Sequence, residues 1–401
     1  MGEIGSGVTV LSLAIWVGLI GFRGQFWQAD QRLEGEVTEP ESWFSVCTVI
    51  PARNEADLLP VTLRSLLTQN YPGRFSVILV DDGSTDGTAS VARSVAQELA
   101  RSEQLHVLSA QPLPPGWTGK LWALEQGIQY AQSLTPSPDY FLLTDADIEH
   151  DFLNVRELVA KAQQENLDLV SLMVRLRCEG FWEQFLIPAF VFFFEKLYPF
   201  RWVNDSSKRT AAAAGGCILM SRKALIRIGG METVRGALID DCALAGAVKL
   251  GNLLSRDEGD KGKGRIWLGL GDSTRSLRAY PSLGTIWEMV ARTAFTQLNY
   301  SPRLLLGTVM GMILVYIVPP VGAIVGWLTG NGLVAIAGLS SWLLMSCAYL
   351  PTLRFYRCSA GWAFCLPGIA FLYTLMTLDS ALRHWQGRGG TWKGRVYSNY
   401  S

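Results

Sequence analysis

The chain has 401 residues, room for one large domain and a further module at roughly 100–200 residues per domain. It is 49% hydrophobic and 17% charged, and its formal net charge of zero gives no reason to expect nucleic acid or another polyanion as a partner. The seven cysteines form no Cys-x-x-Cys pair and there are only three histidines, which argues against a zinc site.

The apolar excess lies at the two ends. Gly5 to Phe22 is an apolar run of 18 residues, enough to cross a bilayer as a helix. It has no basic start and no obvious small-residue cleavage site, so it reads as an anchor rather than a removed signal peptide. Glu3 precedes it and Arg23 and Arg32 follow, so the positive-inside rule sends the chain into the cytoplasm after this helix. From about Phe44 short β-rich runs alternate with helical stretches. Strands are predicted at Ser45–Ile50, Phe75–Val80, Leu105–Leu108 and Tyr140–Leu143, with helices over Asp57–Gln69 and Thr85–Ala100. That alternation predicts an α/β domain over residues 44–301, with a mostly parallel sheet covered on both faces. Ligands of such sheets sit beyond the carboxyl ends of the strands.

Residues 181–202 are apolar and aromatic but interrupted by Pro188 and Pro199, with Glu183, Glu195 and Lys196 inside. A helix lying in the membrane interface suits them better than a crossing, with a buried core helix as the alternative. Gly251 to Arg265 is polar and predicted to be an exposed loop. Three more apolar stretches follow Arg303: Leu304–Leu328, Leu333–Leu350 and Trp362–Leu378. Each is near spanning length, which predicts membrane helices over 304–382 and a basic tail over 383–401. Three crossings from a cytoplasmic domain would carry Arg383, Arg388, Lys393 and Arg395 outside, against the positive-inside rule. Either one stretch is re-entrant or interfacial, or the rule fails here; the basic residues favour a cytoplasmic tail.

The chemistry-bearing residues fall at the strand ends. Pro51-Ala52-Arg53-Asn54-Glu55 ends the first strand and Asp81-Asp82-Gly83-Ser84-Thr85-Asp86-Gly87 the second. An acidic strand end followed by Gly and Ser makes a tight turn from which Asp82 can accept hydrogen bonds from a base or ribose; a plain helix cap would use the same residues. Leu142-Leu143-Thr144-Asp145-Ala146-Asp147 ends an apolar strand in two carboxylates one residue apart. On an extended strand these point the same way and repel, unless a hard divalent ion shared with substrate phosphates lies beside them; a solvated loop with two acidic residues is the alternative. Asp240-Asp241 follows the small-residue region Ala211–Gly216 and offers a general base, or equally a helix cap.

Five motifs carry a family resemblance. They are Val49-Ile50-Pro51-Ala52-Arg53-Asn54-Glu55, Val80-Asp81-Asp82-Gly83-Ser84, Gly119-Lys120 with Ala123-Leu124, Thr144-Asp145-Ala146-Asp147, and Asp240-Asp241. Their order resembles the catalytic domain of a family 2 glycosyltransferase, from about Ser45 to Ser301. The layout with terminal apolar segments is similar to ceramide glucosyltransferases and closer to bacterial hopene-associated glycosyltransferases. The resemblance implies a GT-A-like nucleotide-sugar-binding domain with amino- and carboxyl-terminal transmembrane helices. It implies that Asp82, near Pro51, Arg53 and Glu55, holds the uracil or ribose of a UDP-sugar. Asp147, helped by Asp145, would bind Mg²⁺ or Mn²⁺ bridging the diphosphate; Asp241 would be the base, and Lys120 would approach the donor. The family's late Gln/Arg-x-x-Arg-Trp motif is degraded: one register keeps only Arg292 and another only Gln297, to which acceptor and diphosphate binding would pass. The expectation is a multi-pass enzyme of the cell membrane, its catalytic domain on the cytoplasmic face. It would move one sugar, with inversion, to a hopanoid, isoprenoid, glycerolipid or sphingolipid-like acceptor. A processive polysaccharide synthase and a non-catalytic nucleotide-binding membrane protein are the competing classes.

Overall fold

A computed structural model describes residues 2–33, 39–251, 263–388, 391–392 and 395–396. Most of the predicted loop 251–265, and Lys393 and Tyr397 of the predicted tail, lie outside the described residues. The chain divides into two compact units, one of Gln31–Arg177, Trp202–Ala279 and Trp392–Ser401, the other of Met1–Asp30, Cys178–Arg201 and Tyr280–Thr391.

The first unit is an α/β fold on a curled, mostly parallel sheet. Its strands are β1 Val46–Ala52, β2 Phe75–Asp81, β3 Leu105–Ser109, β4 Tyr140–Leu143, β5 Ile148–Glu149, β6 Leu169–Arg175, β7 Ile218–Ser221 and β8 Ile266–Ser276. They lie in the order β3-β2-β1-β4-β7-β6-β8-β5. β1 is buried along its whole length and parallel to both neighbours, which is why it reads as a run that is apolar except for Thr48. Pro51 falls past the last β1–β4 pair, Val49 with Leu143, where only β2 flanks the strand and a missing N–H is tolerated. β7 runs antiparallel to β4 and β6, and β5 antiparallel to β8. The strands predicted from sequence match β1 to β4 within two residues at each end, while β5, β6, β7 and β8 were not anticipated. The helix Gly119–Ser133 lies hard against the sheet, since a Cβ on Gly127 would stand 2.4 Å from Val49 Cγ1.

Topology sets the site. Neighbouring parallel strands β2 and β1 end in register at Asp81 and Ala52, and β4 ends at the same edge of the sheet, opposite Val49, so the turns that follow them lie side by side. β8 reaches the same place by another route. It pairs with β6 up to Gly271, bulges over Asp272, Ser273 and Thr274, resumes with Arg275 opposite Arg175, and on its other side pairs with β5 through Ser276 and Ile148. A bulge bends its strand, and this one carries Leu277 and Arg278 to the β4–β5 turn, where Leu277 N donates to Asp147 O at 2.8 Å.

The second unit is helical. Among the described residues four of its helices are long and apolar enough to cross a membrane: Gly5–Phe22, Pro302–Leu328, Gly332–Phe355 and Ala360–Trp385. Small residues let two of them close: a Cβ on Gly326 or Gly338 would lie 2.3 Å from the backbone nitrogen of Ala335 or Ala323. A π-turn at Ile313–Ile317 offsets the backbone of another, and Ser12 Oγ and Trp16 Nε1 each donate at 2.8 Å to the carbonyls of Leu314 and Val315. The segment 181–202 is two helices, Phe181–Leu197 and Phe200–Asn204. Phe192 and Phe193 of the first pack on Tyr349 and Tyr373 at ring distances of 5.2 and 5.1 Å. Its Glu183 is buried yet satisfied, accepting from the backbone N–H groups of Glu179, Gly180 and Tyr280 at 2.7–3.0 Å.

Candidate functional site

The turns after β1 and β2 are strapped to each other. Asn54 N donates to Ser84 Oγ at 3.0 Å, Thr85 N to Asn54 Oδ1 at 2.8 Å, Ala56 N to Asp86 Oδ2 at 3.0 Å and Glu55 N to Thr88 Oγ1 at 3.0 Å. Ser84, Thr85, Asp86 and Thr88 are thus bound up in holding the two loops together. Asp82 is buried behind this strap; its backbone oxygen accepts from Arg53 Nη1 at 2.5 Å and its carboxylate lies 3.6 Å from the same nitrogen. The motif is therefore both a cap-like strap and a frame for one buried carboxylate.

Lys120 opens the helix Gly119–Ser133 after a Thr118 cap. Its Nζ lies 2.9 Å from Asp145 and 3.3 Å from Asp240. Asp240 and Asp241 begin the helix Asp240–Leu250, and their carboxylates find different partners. Asp241 Oδ2 accepts from Gly215 N at 2.9 Å and Oδ1 from Cys242 N at 2.7 Å. Gly215 lies close to both charges: a Cβ there would stand 3.2 Å from Lys120 Nζ and 3.4 Å from Asp241 Oδ2. Lys120, Asp145, Gly215, Asp240 and Asp241 line one open cleft, with Leu244 behind them. Burial, reinforced by Asp240 and opposed by Lys120, pushes the Asp241 carboxyl up to about 6. Burial works against the Lys120 charge, but Asp145 and Asp240 outweigh it and hold the ammonium above its usual range.

Asp145 and Asp147 do not share a face. The strand stops at Leu143 and residues 146–147 form a turn, so the two-residue alternation expected from sequence does not extend to them. Asp145 meets Lys120, whereas Asp147 Oδ2 accepts from Arg278 Nε at 2.6 Å. Arg278 Nη2 also donates to Glu55 Oε1 and Oε2, at 2.9 and 3.3 Å. Burial, then Asp145, pushes the Asp147 carboxyl up; Arg278 opposes this, and Glu55 adds to it. The sequence reading missed Arg278, which lies in no acidic or glycine-rich motif and comes near Asp147 only through the β8 bulge. It also missed buried His150, whose Nε2 meets Thr144 Oγ1 and whose Nδ1 meets Asn154 Nδ2, both at 2.9 Å. Burial pushes this imidazole down to about 3, so it braces the turn as a neutral ring.

Among the described residues no three His, Cys, Asp or Glu side chains gather as a metal site made by protein alone. The oxygens of Asp145 and Asp147 nevertheless fit a hard divalent ion completed by substrate phosphates, and crowded negative charge at Asp147 favours a cation there. Arg292 and Gln297 fall in the helical unit. Arg292 is exposed, and Gln297 Nε2 donates to Tyr198 Oη at 2.5 Å.

Residues 47–229 match the profile of Glycosyl transferase family 2. This stretch is a family 2 glycosyltransferase domain. It takes in Glu55, Asp82, Lys120, Asp145, Asp147 and Gly215, while Asp240, Asp241 and Arg278 lie beyond its end. The 4,4'-diaponeurosporenoate glycosyltransferase of Staphylococcus haemolyticus is 31% identical over 145 residues, 36% of this chain and 34% of that protein. The undecaprenyl-phosphate 4-deoxy-4-formamido-L-arabinose transferase of Pseudomonas savastanoi is 25% identical over 186 residues, 45% of this chain and 48% of its own. The chain thus spans between a third and a half of the length of these relatives. Among solved structures, the mannosyltransferase PcManGT from Pyrobaculum calidifontis, in complex with GDP-Man and Mn²⁺, aligns over 95% of this chain and 99% of its own. The TM-score is 0.54 at 19% identity, a likeness of fold.

Proposed function

We propose that this chain is an inverting glycosyltransferase of the cell membrane that moves a single sugar from a nucleoside-diphosphate sugar to a lipid hydroxyl. The observation that carries the reading is the cleft in which Asp241 stands beside Lys120, Asp145 and Asp240, beyond the strand ends of a family 2 domain. Asp241 takes the acceptor proton as the acceptor oxygen bonds to the anomeric carbon and the bond to the diphosphate breaks. A carboxyl raised to about 6 is mostly ionised at neutral pH yet basic enough to accept that proton. Each of its oxygens has a second lone pair beyond the one used by Gly215 or Cys242. Asp145 and Asp147 would hold Mg²⁺ or Mn²⁺, which supplies positive charge to the departing diphosphate. Asp82 and Arg53 would hold the nucleoside; a UDP-sugar is the first candidate donor, and the GDP-Man of PcManGT makes a GDP-sugar the second.

Four apolar helices, and relatives named for a carotenoid acid and for undecaprenyl phosphate, support a lipid acceptor of isoprenoid, hopanoid, glycerolipid or sphingolipid type. Arg23 and Arg32 after the first helix support a catalytic domain on the cytoplasmic side, and basic residues after the last support a tail on that side too. Thiol labelling of tail cysteines introduced beyond Trp385 tests this: labelling only from the outer face would restore three full crossings. The function is tested with the full chain in lipid, supplied with UDP- or GDP-sugars and metal, with and without extracted membrane lipids. Release of nucleoside diphosphate that depends on both metal and lipid is expected. A growing polymer would point to a processive synthase, and no release with any lipid to a non-catalytic protein.

A further inference from the structure

Arg278 does more than pair with one acid. Its side chain, 36% exposed, spans two carboxylates that are far less so, Glu55 at 11% and Asp147 at 10%. Those two come from the turns after β1 and β4, and Arg278 from the end of β8, so a single guanidinium neutralises two acids from separate stretches of chain. A divalent ion brought to Asp147 would meet that guanidinium at contact range. Two like charges a few ångströms apart repel strongly where water is partly excluded, so metal and Arg278 cannot both be held well by Asp147. A nucleoside diphosphate changes the balance, because its oxygens offer the guanidinium a bidentate partner of higher charge than either carboxylate.

We propose that Arg278 is an exchangeable counter-ion: it guards Asp147 and Glu55 against metal alone and gives them up when a diphosphate draws it away. Metal and nucleotide then bind as a coupled pair. The inference rests on the glycosyltransferase reading above, since the diphosphate is what moves the guanidinium.

The experiment is calorimetry on the full chain in detergent, titrating Mn²⁺ alone, UDP or GDP alone, and each in the presence of the other. In the wild type, Mn²⁺ alone binds weakly and nucleotide strengthens it. Arg278→Ala should bind Mn²⁺ alone at least about tenfold more tightly, because the competing charge is gone. Nucleotide should then improve Mn²⁺ binding by no more than about threefold, since the coupling partner is lost. Arg278→Lys, which keeps the charge but not the two-pronged contact, should fall between and covers the case in which the alanine variant does not fold. A merely structural arginine predicts the opposite sign, weaker metal binding on removal. Unchanged or weaker Mn²⁺ affinity in folded variants that still bind nucleotide overturns the exchange alone. Failure of the wild type to bind either nucleotide, with or without Mn²⁺, overturns the functional reading and the exchange with it.

Discussion

Two clusters lie beyond the strand ends, each a pair of carboxylates drawn onto one cation, and they are built for different work. On the Lys120 side, Asp145 and Asp240 share a flexible ammonium, and Asp241 stands next to it held by backbone N–H groups. On the Arg278 side, Glu55 and Asp147 share a planar guanidinium with three fixed contacts. A lysine gives a compact point charge that tunes its neighbours; an arginine fork fixes orientation. The Asp-x-Asp motif reaches into both: Asp145 pairs with Lys120 beside Asp241, and Asp147 pairs with Arg278.

The most severe way to break this division is at Asp147. Asp147→Ala should abolish metal-stimulated transfer, and full activity of this variant after chelation in a metal-free assay would remove the metal role. Next comes the base. Asp241→Asn should slow single-turnover transfer by about 10²–10⁴-fold while donor affinity by calorimetry stays near wild type. Asp240→Asn should lose less; the reverse ranking would exchange the two roles, and near-normal transfer by both would take the pair out of the mechanism.

Smaller effects are expected on the pH dependence. Asp241 must be ionised to accept a proton, so turnover should rise with pH, level off above about 6, and lie about tenfold below the plateau at one unit under that value. The groups facing it are Asp240 and Lys120, with Asp145 across the lysine. Lys120 opposes the rise, together with the backbone N–H groups of Cys242 and Gly215, so Lys120→Met should move the acid limb to higher pH. An acid limb that does not move when Lys120 is replaced would assign the ionisation to another group.

Much of the site was legible because its residues follow strands whose apolar runs are unmistakable. β1, β2 and β4 are short, mostly buried and each ends in its motif, so Glu55, Asp82, Asp145 and Asp147 were recognisable as strand-end residues. Lys120 and Asp241 were legible by resemblance. The shared orientation of Asp145 and Asp147 was not: it assumed an extended backbone where the chain turns. β6, β7 and β8 escaped notice because their neighbours in the sheet are distant in sequence and nothing local marks their bounds. Of the helical unit, three apolar helices were readable from composition alone to within a turn or two at most ends, and Trp362–Leu378 proved to be the larger part of a longer helical stretch, Ala360–Trp385. Its π-turn and its glycine contacts depend on which helices meet.

What the sequence determined by itself is the inventory: four apolar segments, a family 2 domain, and acids placed at strand ends by local hydrophobic pattern and turn chemistry. Those signals act over a few neighbouring residues, so they survive in the linear chain. Tertiary structure decided the pairing. Whether Asp145 meets Lys120, whether Gly215 lends its N–H to Asp241, and whether Arg278 spans Glu55 and Asp147 depend on strand order and on one bulge in β8. Charge interactions act through space, between groups as far apart in sequence as Glu55 and Arg278, and no local pattern records them.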